Sequence, residues 1–262
     1  MIQPTDPILV QDAEGIRSIV LNRADKANAL CTTMLDTMRQ AVESAREDGA
    51  RMILLRSASP ALFCAGGDIH EFAQGPQHLE KQGDSLRALV ASMARCSLPI
   101  LAIARGKAAG AGVILLAMVD IVIAAENLAM SCPEIAFNMY PIMVQIALET
   151  KVSAALARRL CLSGDALDAA AARGLGLVTD MLPTADFEHM ANHRLAYYAE
   201  RREALEIARQ ARLSTESPDA MLQRLATLEP LMHKNFNRPG VRETILAYLA
   251  GLRRKPPGQE RQ

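Results

Sequence analysis

Two passages from a buried strand into a glycine-rich loop constrain this chain more than any other feature. Met52–Ser57, Met-Ile-Leu-Leu-Arg-Ser, is an apolar run short enough for a buried strand, and Ala58–Ala61 after it reads as a turn. Leu62–Phe72 follows, Leu-Phe-Cys-Ala-Gly-Gly-Asp-Ile-His-Glu-Phe, with Gly66 and Gly67 where the chain leaves the sheet. The second passage has the same grammar: Pro99–Ala104 as a strand, the glycine-rich loop Arg105–Gly112, then Val113–Val119 as an apolar helix. Glycine lacks a Cβ, so its backbone can take strained angles and approach a ligand closely. N–H groups freed at such a loop need an acceptor. Two loops of this kind can aim two N–H groups at one point, which is the geometry of an oxyanion hole.

The rest of the chain fits an α/β reading. Ile8–Val10 and Ile16–Leu21 frame a hairpin-like turn containing Gly15. Thr32–Arg46 has helical spacing, with Met34, Leu35, Met38, Ala41, Val42 and Ala45 inward and Thr32 or Thr33 as cap. Gln74–Asp84 is polar and carries Gly75, Pro76 and Gly83, so it reads as a mobile connection into a helix over Ser85–Arg95. Ile121–Ala125 and Leu128–Ser131 are short strands. Beyond Ile142 the pattern is mostly helical: Val152–Cys161, Ala166–Arg173 capped by Asp165, then Ala185–Ala211, Asp219–Leu228 and Val241–Leu252, with a last strand at Leu177–Leu182. This organisation divides into a core over 1–183, a helical region over 184–252, and a charged, proline-containing tail over 253–262 that is expected to be disordered.

Composition removes several classes of function. Lys+Arg and Asp+Glu both number 29, so no extended nucleic-acid surface is expected. Tyr and Phe are few and Trp is absent, which leaves no aromatic platform for stacking bases. The five cysteines are odd in number, widely spaced and without C-x-x-C, so they read as free thiols of a cytoplasmic protein, with no disulfide framework or structural zinc. Cys64, inside the first loop, has a competing reading as a reactive thiol, although free cysteine more often packs as a small hydrophobe. Met1–Pro7 lacks the pattern of a signal peptide, and Ala108–Val119 is too short to span a bilayer.

The loop Phe-Cys-Ala-Gly-Gly-Asp-Ile-His-Glu-Phe resembles the Ala-Gly-x-Asp-[Ile/Leu]-x-Glu loop of the crotonase, or enoyl-CoA hydratase/isomerase, superfamily. Leu21-Asn22-Arg23 through Asn28-Ala29-Leu30 is similar to its opening motif, with Ala24 in place of the usual proline. Gly106 through Asp120 resembles its second glycine loop and helix, Pro133-Glu134 its Pro-Glu segment, and Gly174–Asp180 its Gly-Leu-Val turn. Each motif alone is weak; together, in order, they are specific. The resemblance implies a crotonase-like spiral of β-β-α turns with a helical C-terminal region over 184–252 that serves trimerisation, assembled as a homotrimer or a dimer of trimers. It implies an acyl-CoA substrate of the kind met in fatty acid metabolism, CoA entering as part of the thioester, and no permanently bound cofactor, metal, nucleic acid or membrane.

It also assigns roles. The oxyanion donors would be Gly67 N–H and Ala111 N–H, with the helix dipole that starts at Ala111 favouring the same anion. Hydratases of the family use two glutamates. Glu134 stands in the second place, but Ile114 fills the first, which makes that wall apolar. A lone Glu134, its pKa raised by burial beside Ile114 and Met139, suffices for a proton shuttle along an enoyl chain, so isomerisation stands ahead of hydration. Substrate contacts would come from Lys26, Ala27, Ala29, Ala65, Gly67, Asp68, Ile69, His70, Ala111, Ile114 and Tyr140. Asp68 more readily braces its loop than acts as a base. His233, in a Met-His-Lys-Asn-Phe segment, keeps open a dehydratase or decarboxylase acting on carrier-bound polyketide thioesters. A non-catalytic acyl-CoA binder that has lost one glutamate is the third reading.

Overall fold

A computed structural model describes residues 5–238 and 240–253. β1 (Ile8–Ala13) and β2 (Ile16–Leu21) form an antiparallel hairpin through Glu14 and Gly15, whose φ values of 52° and 78° suit the twist of the flanking strands. A 3-10 turn at Ala24–Lys26 leads to α1 (Thr32–Ser44) and β3 (Met52–Ser57). The chain continues through α2 (Ile69–Gln74), α3 (Pro76–Arg95), β4 (Ile100–Ala104), β5 (Lys107–Ala109) and α4 (Ala111–Met118). Next come β6 (Ile121–Ala125), β7 (Ala129–Ser131), a 3-10 turn at Pro133–Phe137, α5 (Ile142–Leu148), α6 (Ala154–Ser163), β8 (Leu167–Asp168), α7 (Ala169–Gly174) and β9 (Asp180–Leu182). A third 3-10 turn, Thr184–Asp186, opens the run of α8 (Phe187–Ala199), α9 (Arg202–Thr215), α10 (Pro218–Phe236) and α11 (Val241–Arg253).

The larger sheet has the order β1-β2-β3-β4-β6-β9 and is parallel apart from its opening hairpin. Its central strands are apolar on both faces because both faces are covered. Ile53, Leu55, Ile100, Ala102 and Val122 pack toward α1, α3 and α4; Met52, Leu54, Leu101, Ile103 and Ile123 pack against Phe187, Ala191 and Tyr198 of α8. The smaller sheet is β5-β7-β8, and isolated bridges Cys64–Ala108 and Leu30–Gly67 continue it. Long strand, short strand or bridge, then helix: this unit repeats, giving the expected spiral of β-β-α turns. α4 is buried along its whole length, as an all-apolar helix must be.

Several elements differ from the sequence reading. α3 begins at Pro76, not Ser85: proline sits in its first turn, where no N–H is needed, and Leu79, Gln82, Leu89, Val90 and Met93 are buried along the helix despite Gly83. The cap of α1 is Cys31, whose thiol pairs with Thr33 Oγ1 and takes no helix N–H; Thr32 lies inside the helix, and its N–H and hydroxyl both donate to Glu71 Oε2 at 3.0 Å. Asp168 replaces Asp165 as the cap of α7, accepting from Ala171 N at 2.7 Å. The long helix expected over 185–211 is two, and α10 continues through Pro230 to Phe236. The C-terminal helices pack on their own chain: α8 covers the outer face of the sheet, and α11 buries Val241, Ile245 and Leu249 with Met139, Ile69 and Phe72. Apart from Arg253, the expected disordered tail lies outside the described residues.

Candidate active site

The two glycine loops meet. A Cβ built on Gly66 would lie 3.1 Å from Ala109 O and 3.8 Å from Ala111 N, and Gly66 takes φ +109°, so only glycine allows this contact. Gly110 is at φ +51°, where a Cβ would come within 2.5 Å of Glu134 Oε1. The second loop therefore brings the carboxylate of the Pro133–Phe137 turn against the start of α4. Among the described residues, neither Gly67 N–H nor Ala111 N–H donates to a backbone or side-chain acceptor, while the neighbouring Asp68 N–H is taken by Leu30 O at 3.0 Å. Ala111 is the first residue of α4, so its N–H is one of the helix's unpaired donors.

Gly67, Ala111, Ile114 and Glu134 line one cavity of about 100 Å³. Its other walls are mainly apolar: Phe72, Leu79, Leu86, Met139, Met143, Val144, Met232 and Phe236. Glu134 Oε2 is buried and has no hydrogen-bond partner among the described residues. Burial pushes the Glu134 carboxyl up to about 7, from an ordinary 4.5, against a hydrogen bond from its own backbone N–H that lowers it. Ile114 is buried one helical turn into α4 and places no polar group on its wall.

The first loop is braced from below. Asp68 caps α2, accepting from His70 N at 2.8 Å, and its other oxygen receives Arg23 Nη1 at 2.6 Å; Arg23 also donates to Ala29 O at 2.9 Å. Asn28, fully buried at φ 50°, donates to Ser57 Oγ and Phe63 O and accepts from Arg23 N. Cys64 is buried with its thiol on Asn28 O, and burial pushes that thiol up to about 12, which removes the reactive-thiol reading.

The sequence model described as enoyl-CoA hydratase/isomerase matches residues 11–259. The chain belongs to the enoyl-CoA hydratase/isomerase family. It is a hydratase/isomerase-like enzyme. Among its relatives, the rat mitochondrial methylglutaconyl-CoA hydratase is 30% identical over 207 residues, 77% of this chain and 62% of that protein. The 2,3-dehydroadipyl-CoA hydratase of Escherichia coli strain K12 is 29% identical over 222 residues, 80% of this chain and 87% of that one. In fold, the enoyl-CoA hydratase of Bacillus halodurans aligns with a TM-score of 0.83 at 16% identity, covering 92% of this chain and 100% of its own. Pseudomonas aeruginosa OdaA aligns at 0.81 and 23% identity, covering 93% and 99%. These likenesses establish the crotonase fold.

Against that family pattern, the remaining residues singled out in the sequence divide into groups. Ala27, Ala29, Ala65 and Asp68 form one ridge: Ala65 N donates to Ala27 O at 3.0 Å, and Asp68 lies next to Ala29 through Arg23. Lys26 and His70 are exposed, and Ile69 packs beside Met139. Tyr140 lines the cavity, but its hydroxyl donates to Gln145, and its N–H and C=O are clasped by Asn235 at 3.2 and 2.8 Å. His233 does not line the cavity; it stands 3.7 Å from Glu80 and 3.8 Å from Glu229. The Asp84–Glu229–His233 group is held by Arg87, which binds both carboxylates at 2.6 Å. The sequence reading missed Gln82, buried and in the cavity wall, because it lies in the segment taken for a mobile connection.

Proposed function

We propose that this acyl-CoA enzyme stabilises a thioester enolate between Gly67 N–H and Ala111 N–H and moves a proton with Glu134. The observation that carries the reading is the meeting, on one cavity, of two N–H groups without acceptors and a buried carboxyl whose Oε2 has no partner, among the described residues. Loss of an α-proton concentrates charge on the thioester oxygen, and fixed donors there are worth about 3 kcal/mol each in comparable sites. A carboxyl with a pKa near 7 is matched to taking and returning a proton at neutral pH.

With Ile114 in the wall, the proton shuttle between carbons two and four of an enoyl chain is the reaction this site serves most directly. Hydration, the activity named in several relatives, needs a water held by something other than a second carboxylate. Lys26, Ala27, Ala29, Ala65, Asp68, Ile69 and His70 are the proposed contacts of the CoA thioester. The chemistry needs no permanent cofactor. The chain is proposed to act as a homotrimer or dimer of trimers in the cytoplasm, a reducing setting that suits its five free cysteines. No helix among the described residues is long and apolar enough to cross a membrane. Action on a carrier-bound polyketide thioester is a weaker reading, since the His233 that motivates it is not in the cavity wall.

Deuterium exchange at the α-carbon of butyryl-CoA tests the reading. The wild type should exchange, and Glu134→Gln should lose roughly 10²–10⁴-fold in rate. Undiminished exchange in the variant would remove Glu134 from the mechanism. Product analysis on 2-enoyl and 3-enoyl thioesters then separates hydration from isomerisation.

A further inference from the structure

Four residues of the cavity wall carry polar side-chain groups: Gln82, Glu134, Tyr140 and Asn235. Tyr140 donates its hydroxyl to Gln145, and Asn235 spends both ends of its amide on the Tyr140 backbone. That leaves Glu134 and Gln82. Gln82 is 3% exposed, and its amide nitrogen donates to Glu71 Oε2 at 2.6 Å. The same carboxylate oxygen receives Thr32 N and Thr32 Oγ1 at 3.0 Å. An ionised carboxylate only accepts, so the amide must turn its NH₂ to Glu71 and its carbonyl the other way. That carbonyl oxygen lies 2.8 Å from where a Cβ on Gly67 would stand, and it receives no hydrogen bond among the described residues. Standard bond lengths then place it within about 5 Å of the Gly67 nitrogen.

From this geometry we propose that Gln82 is a specificity residue whose Oε1 accepts a hydrogen bond from a hydroxyl carried at carbon three of the acyl group. The inference rests on the CoA-thioester reading above and deepens it. With the thioester oxygen on Gly67 N–H, carbon three lies two bonds beyond the carbonyl carbon, and an acceptor about 5 Å from that nitrogen is within reach of a hydroxyl there. Gln82 is buried as a residue and lines the cavity, so a free carbonyl oxygen there is open to a ligand's donor, and a hydroxyl supplies one. The amide carries no exchangeable role in proton transfer. It is a positioning and specificity residue; Glu134 remains the proton carrier. The same hydroxyl is what addition of water to a 2-enoyl thioester leaves: oxygen bonded to carbon three, hydrogen to carbon two, with no oxidant or reductant. Gln82 thus supplies the holding function that Ile114 cannot.

The test is calorimetric binding of butyryl-CoA and of each enantiomer of 3-hydroxybutyryl-CoA to the wild type, Gln82→Leu and Gln82→Met. The wild type should prefer one hydroxy enantiomer over butyryl-CoA, and both variants should lose about tenfold of that preference. A purely structural role would weaken all ligands by a common factor, leaving the ratio unchanged, and that result overturns the proposal. A wild type with no preference overturns it without any variant, so the test survives if a variant fails to fold. Binding of neither class of thioester overturns the CoA reading itself and this proposal with it.

Discussion

Replacing Glu134 by glutamine should stabilise the protein at alkaline pH while removing its activity. The folded chain holds the Glu134 proton with a pKa of about 7, against an ordinary 4.5. Because the folded value lies above the unfolded one, the folded state binds more protons between them. Stability is therefore greatest below pH 4.5, falls as pH rises toward 7, and levels off above it. The gap corresponds to roughly 3 kcal/mol, at about 1.4 kcal/mol per pH unit. Glutamine keeps the shape and carries no charge, so it escapes this loss. Thermal melts of the two proteins should coincide near pH 4.5, and the variant should melt roughly 5–10 °C higher at pH 8. The α-proton exchange of the wild type should rise through pH 7 as the carboxylate forms. A difference in melting temperature that is the same at every pH would refute the argument, since it would mean that burial does not raise the Glu134 pKa in the folded state.

Removing either proposed oxyanion donor should cost exchange activity by about 10²–10³-fold. Ala111→Pro is the cleaner variant, because the first position of α4 tolerates proline; Gly67→Pro also presses on Gln82 and Phe72, and unchanged exchange in either folded variant would count against the site. Ile114→Glu should raise hydration relative to isomerisation, measured as product ratio on 2-enoyl and 3-enoyl thioesters, with a lower melting temperature from a second buried carboxyl; an unaltered ratio would mean that position 114 does not decide the reaction. Light scattering at micromolar concentration should give a trimer or a pair of trimers, and a monomer mass would refute that assembly.

Much of the fold was legible because its signals were redundant. The two strand-to-glycine passages, β3 and β4, needed only length, apolar runs and Gly66, Gly67 and Gly110. The buried run of α4 could face nothing but protein. Other elements failed where local chemistry misled. Gly75, Pro76 and Gly83 looked like a linker, yet proline opened α3 and packing on α1 carried the helix past the glycine. Thr32 looked like a cap, but its hydroxyl was claimed by Glu71, a contact between residues 39 apart that no local rule shows. That Glu134 and Ile114 share one cavity wall was foreshadowed by family spacing; the place of Gln82 was not, because its segment looked like a linker and not the start of a helix.

The two halves of the site are held in opposite ways, and the chemistry requires it. Gly67 sits on a loop fixed by ionic and amide bonds: Arg23 to Asp68 at 2.6 Å, Asp68 to His70 N at 2.8 Å, and Thr32 and Gln82 to Glu71. A backbone donor keeps its charge throughout a turnover, so rigid support lets it meet developing charge without reorganising. In the proposed mechanism Glu134 changes charge in every turnover. A fixed N–H or cation on its carboxylate would hold it ionised and lower its pKa, and a fixed acceptor would hold it protonated. Either would bind the proton carrier to one of its two states. Among the described residues Oε2 has no partner, burial outweighs the bond from Glu134's own N–H, and Oε1 stands against Gly110, where no Cβ can stand. The close approach accounts for glycine at 110, and burial in the apolar cavity accounts for the near-neutral pKa at 134.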